Sequence, residues 1–206
     1  MESKISPRLL ILIGIVFESV LFFTFFLLKD ELGEVFRYAA RYSGRFSFVL
    51  YLLAFYWFIQ EHTHKITLIK TKKWVTVFSI MHIIHFGFLA ASVGLNHLPI
   101  VPVKLMGGFL AYVGILCYPF FIGKIRKTAH HLIYFYYVGF VMAMTFLARI
   151  RREFVGADPE VFHFIGLSLV LVSFGLAVVR LYRLKSIWLL FPFSGSKNTL
   201  NPFFIR

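Results

Sequence analysis

The chain has 206 residues, of which 59% are hydrophobic, 19% aromatic and only 15% charged, against about 45–50% apolar and about 25% charged in soluble domains. Six membrane spans of about 21 residues would use roughly 126 positions, leaving too few for a nucleotide-binding fold or any other catalytic domain outside the bilayer. A soluble enzyme, a disordered chain and a large extramembrane module are excluded, and the single Cys117 excludes an intramolecular disulfide framework and a multi-cysteine metal site.

Apolar runs fall at 8–28, 45–60, 74–94, 103–122, 131–150 and 161–182, and most reach the length of about 20 residues that a span requires. The first is too long for a signal-peptide core, and no small-x-small cleavage site follows Phe25–Leu28, so it reads as a retained span. The second is short but rich in aromatics such as Phe46, Tyr51, Phe55 and Trp57. The third carries His82 and His85. In the fourth, Gly107, Gly108 and Gly114 favour close helix packing, and Pro119 is expected to kink or end the helix near Cys117. The fifth opens on His130 and His131, and His163 lies near the start of the sixth. The remaining segment, KSIWLLFPFSGSKNTLNPFFIR, is broken by Pro192 and Pro202 and reads as an interfacial or cytoplasmic stretch, or a docking tail. No repeat or low-complexity linker divides the chain. The expected architecture is all-α: a polytopic bundle of six transmembrane helices over residues 1–185, with a tail over 186–206.

The net charge of +13 would suggest nucleic acid in a soluble protein. Its placement points elsewhere. With both termini on one side, fourteen Lys and Arg flank the spans there, including Lys72, Lys73, Lys124 and Arg126, against eight opposite, including Arg37, Arg41, Arg45 and Arg149. Six of the nine acids also lie on that opposite side. Both termini are therefore expected to be cytoplasmic, with membrane lipids as partners of the basic excess and no role for nucleic acid. A bacterial cytoplasmic membrane is the expected location.

Ionisable residues inside spans are functional candidates because they are costly there. Glu18 is one, read either as protonated or paired with Arg41 or Arg45, or as a proton or quinol contact. His82 and His85, at i and i+3, share a face of the third helix, whereas His130 and His131 point about 100° apart, so only one of them can face a given partner. Histidines on two non-sequential spans suit a b-type haem, whose iron takes neutral imidazoles from both faces. Hydrogen-bonded core histidines are the competing reading. His62, His64 and His97 read as surface residues, the first two also as a weak metal pair.

Three segments carry a resemblance. Ala129–His130–His131–Leu132–Ile133, with Gly139 beyond it, resembles the fifth span of the ferric reductase-like transmembrane family, which includes NADPH oxidase membrane domains, ferric reductases and the haem subunit of the bacterial periplasmic methionine sulfoxide reductase system. Phe36–Phe55 resembles the family's Arg-x-x-Gly entry into the second span, and Met81–His85 its histidine-containing third span. The likeness covers about residues 35–180. It implies a membrane haem protein that moves electrons, with His130 as one axial ligand. Two-haem members carry a second histidine thirteen residues later, where this chain has Ala143. The resemblance thus implies at most one haem b, held by His130 with His82 or His85, its iron on His85 and His130, with Arg41, Arg45, Lys73 or Arg126 pairing the propionates and His131 as the alternative ligand. His130 starts its helix while His85 lies mid-span, so strong tilt or an earlier start of the third helix would be needed to level them. The chain has no dinucleotide fingerprint, so a separate reductase or quinol donor is implied. The rival readings are a non-haem small transporter or assembly partner with structural histidines, and, more weakly, a lipid-acting enzyme, for which no acid/base pair or catalytic triad is present.

Overall fold

A computed structural model of the chain describes residues 6–64, 66–99, 102–153 and 158–183; the tail expected over 186–206 lies outside them. Six α-helices follow one another: α1 (Pro7–Leu28), α2 (Leu32–Thr63), α3 (Ile69–Leu95), α4 (Pro102–Phe121), α5 (Thr128–Ile150) and α6 (Val161–Arg183). There is no strand among the described residues. Five helices are long and apolar enough to cross a membrane; the apolar stretch of α4, Met106–Phe121, is shorter. Several apolar side chains point outward, among them Leu12, Val20, Phe23 and Phe109, each more than half exposed. Such a surface would be an aggregation liability in water; it suits a multi-pass protein whose solvent is lipid.

α1 begins where Ser6 accepts the Leu9 N–H at 3.2 Å and Pro7 occupies the first turn, a position where a missing N–H costs nothing. α2 departs from expectation. It starts at Leu32 and has 32 residues, about 48 Å at 1.5 Å per residue, so Arg37, Arg41 and Arg45 are helical and not in a loop. Their spacing of four places them on one stripe, and carboxylates partner the stripe: Arg37 pairs with Glu34 at 2.6 Å, and Arg41 and Arg45 pair with Glu160. A run of loop-like charge in the sequence is therefore one face of a long helix.

α2 is the axis of the bundle, packed against α1, α3, α5 and α6, while α4 touches α3 and α5. Its buried rings Tyr51, Phe55 and Phe58 meet Phe78 of α3 and Phe135 of α5, with ring centroids 5.8 Å apart for Tyr51–Phe78 and 4.9 Å for Phe58–Phe135. Gly107 and Gly108 have no neighbour within 4 Å of a β-carbon position, and Gly114 meets only Tyr134, at 3.9 Å. The expected close packing at these glycines is absent because α4 is the most peripheral wall of the core. α4 ends two residues after Pro119, as a helix-interior proline favours.

The turn from α2 to α3 is held by a carboxylate that carried no signal in the sequence. Glu61, 5% exposed, accepts the Lys70 and Thr71 N–H groups at 2.8 and 2.9 Å and the Thr71 hydroxyl at 2.7 Å. It satisfies otherwise orphaned amides at the N-terminus of α3 and complements that helix's dipole. Glu61→Ala is expected to lower stability by about 2 kcal/mol, read from the unfolding midpoint in detergent micelles; Glu61→Gln, which keeps one acceptor, should lose about half as much.

Candidate functional site

α2 serves as a ruler for the polar groups inside the bundle. Near its C-terminal end, Phe58 packs against the His131 ring at 5.7 Å. Near its middle, the Ser47 hydroxyl and Nδ1 of His82 share a hydrogen bond of 2.6 Å, and the His85 ring lies against Gly44, where a β-carbon would come within 2.9 Å of it. His82 also stacks on Tyr112 at 4.7 Å. Of the adjacent pair on α5, His131 is the inward residue, 5% exposed, while His130 faces outward. Both ring nitrogens of His131 are engaged, Nδ1 with the Tyr118 hydroxyl at 2.6 Å and Nε2 with the Ile125 carbonyl at 3.2 Å.

These positions give the depths of the histidines along α2. Ser47 and Phe58 are eleven residues apart on α2, about 16 Å along its axis, and Gly44 lies about 4–5 Å further. Two imidazoles on one metal lie within about 4 Å of each other, at about 2 Å per metal–nitrogen bond. α3 and α5 run between the same two ends, so the histidines of α5 and those of α3 occupy different depths, and the space between is filled by Tyr51, Phe78 and Phe135. α3 does start earlier than the apolar run at 74, at Ile69, but this leaves His85 sixteen residues into the helix and does not level the two sets of histidines. His130 or His131 with His82 or His85 therefore does not fit a bis-histidine haem. At the depth of His82 and His85, α5 offers buried Ala143, which has no ligating atom. The four basic residues expected at propionates are also divided: Arg41 and Arg45 lie at one end with Glu160, whereas Lys73 lies near Trp74 at the start of α3 and Arg126 is exposed in the α4–α5 turn.

The first of those ends holds the densest charge. Arg41 Nη1 is 2.7 Å from Glu160 Oε1, and Arg45 bonds the other carboxylate oxygen. The Arg45 guanidinium lies over the Tyr42 and Phe162 rings at 4.5 and 4.8 Å, and its Nε is buried without a partner among the described residues. Arg149 of α5 is within electrostatic reach of Arg41, Arg45, Glu160 and His85. His163, 3% exposed, accepts the Glu160 N–H through Nδ1 at 2.9 Å and so fixes the carboxylate's backbone. Arg41 and Arg45 of α2 thus share one carboxylate at the start of α6, with Arg149 of α5 in electrostatic reach.

Glu18 takes no part in this knot. Ser43 donates to its Oε1 at 2.8 Å, and neither Arg41 nor Arg45 reaches it. Two residues along a helix turn the side chain by about 200°, so Ser43 faces α1 while Arg41 and Arg45 face α6. His62 stacks on Phe58 at 5.8 Å, His64 is exposed at the end of α2, and His97 is exposed just past α3. Among the described residues no group of three or more His, Cys, Asp or Glu side chains could hold a metal ion. What the sequence left unnoticed is Glu160: it reads as a loop acid, and only the fold brings it to Arg41 and Arg45. Their helical spacing of four was the available signal.

No family model matches the chain, and no curated protein or solved structure matches it either.

Proposed function

We propose that this multi-pass membrane protein has six spans with both termini in the cytoplasm, and that it works without haem as a small transporter for anions. The orientation rests on the bias of fourteen Lys and Arg against eight, an asymmetry suited to a bacterial cytoplasmic membrane. The anion reading rests on one observation. Arg41 and Arg45 share the Glu160 carboxylate at one end of apolar helices, and the Nε of Arg45 is buried there without a partner among the described residues. A buried guanidinium N–H left without an acceptor is costly, and a small anion beside Arg45 would accept from it. His85 of α3, packed on Gly44 between Arg41 and Arg45 and in reach of Arg149, supplies a further polar group at the same level.

The test is anion flux from liposomes containing the full chain, with chloride, inorganic phosphate and acetate each loaded in turn and followed by electrode or isotope. Protein-dependent efflux of at least one anion is expected, reduced about tenfold or more in Arg45→Gln, since a charge-assisted contact is worth roughly 1.5–3 kcal/mol. Absence of both flux and binding for all three anions overturns the reading.

A second reading, haem-linked electron transfer with a separate reductase or quinol donor, is favoured by one contact. Ser47 engages Nδ1 of His82, the arrangement by which an outer hydrogen bond orients a metal-bound imidazole. The optical spectrum of protein produced with ample haem decides between the two. Sharp reduced bands of a low-spin b-type haem, lost in His82→Ala, would replace the transporter reading.

A further inference from the structure

One buried group stands outside both the cationic knot and the histidines. Glu18 of α1 is 2% exposed and Oε2 has no hydrogen-bond partner among the described residues, although Oε1 receives the Ser43 hydroxyl. An unpaired carboxyl oxygen away from water loses the full hydrogen bond it would otherwise accept, and an ionisable group at such depth in a span marks a site by default.

The surroundings of Glu18 are shaped. It lines a groove of about 410 Å³ together with Ile15, Phe22, Phe36, Ile84 and Phe88, between α1, α2 and α3. That volume is within the range of about 300–1,000 Å³ usual for small-molecule sites. One turn earlier α1 is seated tightly, with Gly14 against the Met81 side chain; at Glu18 the helices part. The far wall is a cluster of three rings, Phe22 stacked on Phe88 at 5.8 Å and 6°, and Phe36 within 5.3 Å of Phe22. Ile15 and Phe23 at its rim are 42% and 61% exposed, so the groove opens toward the hydrocarbon.

We propose that the groove between α1, α2 and α3 binds an uncharged, lipid-soluble phenol or alcohol whose hydroxyl donates to Glu18 Oε2 while its ring or chain lies against Phe22, Phe36 and Phe88. The chemistry selects this class. A groove walled by hydrocarbon and opening to lipid admits a ligand that partitions into the membrane. The three faces of Phe favour a ring, through offset or edge contacts worth about 0.5–1.5 kcal/mol per pair. The carboxyl oxygen requires a donor, and a neutral O–H provides one without adding a charge to the bilayer. The inference is independent of the anion reading, because Glu18 and Arg45 lie on opposite faces of the α1–α2 contact.

The experiment uses the full chain in lipid nanodiscs with para-octylphenol and its methyl ether, which has the same body without the O–H donor. Binding is read by equilibrium dialysis and by the unfolding midpoint. The phenol should bind about tenfold more tightly than the ether, as one hydrogen bond to a buried acceptor implies, and should raise the midpoint. Glu18→Leu should abolish that preference while leaving a weak, equal affinity for both. Glu18→Leu removes the unpaired Oε2 but also the acceptor of the buried Ser43 hydroxyl, so it is made alongside the double variant Glu18→Leu/Ser43→Ala, which leaves neither group unpaired and should likewise lack the preference. Ser43→Ala, which leaves both carboxyl oxygens available, should keep the preference. Equal binding of phenol and ether to the parent protein, or an unchanged preference in Glu18→Leu, overturns the proposal.

Discussion

Gly139→Leu is expected to unfold the centre of the bundle, lowering stability by about 3–5 kcal/mol. A β-carbon at position 139 would collide with the Tyr51 hydroxyl and lie 2.6 Å from Phe174 Cζ. Tyr51 is fully buried and cannot swing aside, because its hydroxyl donates to the Phe135 carbonyl at 2.8 Å across that same glycine. Inserting carbon into a filled core costs about 1–3 kcal/mol, and breaking the Tyr51 bond leaves its buried hydroxyl without an acceptor for about 1–3 kcal/mol more. Gly108→Ala is the control. Nothing lies within 4 Å of that position, so the change should stay within about 0.5 kcal/mol. Thermal or denaturant unfolding in one detergent measures both. Tyr51→Phe combined with Gly139→Ala should cost less than the sum of the single changes, because both act on one contact. Equal midpoints for the Gly139 and Gly108 variants would mean that α2, α5 and α6 do not meet there.

Glu160→Gln should destabilise the protein by about 2 kcal/mol and at the same time raise its affinity for anions. The carboxylate joins Arg41 and Arg45 of α2 to the start of α6. Removing one partner of a fully buried pair costs about 3–5 kcal/mol, reduced here because the side chain of Glu160 is 32% exposed. Arg41 and Arg45 then lose the carboxylate that they share. A small anion should therefore restore part of the lost unfolding midpoint, and more in Glu160→Gln than in the parent chain. Comparing chloride, phosphate and acetate at matched ionic strength separates specific binding from general screening, which acts over about 10 Å at 0.1 M salt. A purely structural ion pair gives the stability loss without rescue by any of the three, and that result would remove the charge argument for transport.

Legibility of the fold differed from helix to helix. α1, α3, α5 and α6 lie close to the apolar runs at 8–28, 74–94, 131–150 and 161–182, because a span is marked by an uninterrupted lack of charge. α2 was half visible. Its first thirteen residues, through Gly44, carry Glu34, Arg37 and Arg41, which by composition resemble a loop; their partners lie on the same helix face or on α6. α4 has the composition of a span but only a short apolar stretch among the described residues. The site was legible in its residue types and not in its geometry. Four histidines on two spans stand out in the sequence, yet sequence spacing measures depth only along one helix. The relative heights of α3 and α5 come from how each packs on α2.

Composition by itself determined the solvent. With 59% hydrophobic residues and 15% charged, the chain can satisfy its surface only in lipid, and in lipid its backbone polar groups must be paired within helices. The tertiary structure decided which buried polar groups meet. A difference of two residues, about 200° of helix, sends Ser43 to Glu18 and Arg41 and Arg45 to Glu160. Packing of Phe58 on His131 and of Ser47 on His82 sets the histidines of α5 and α3 about 16 Å apart along α2. Those are long-range contacts between helices, and no local pattern of residues encodes them.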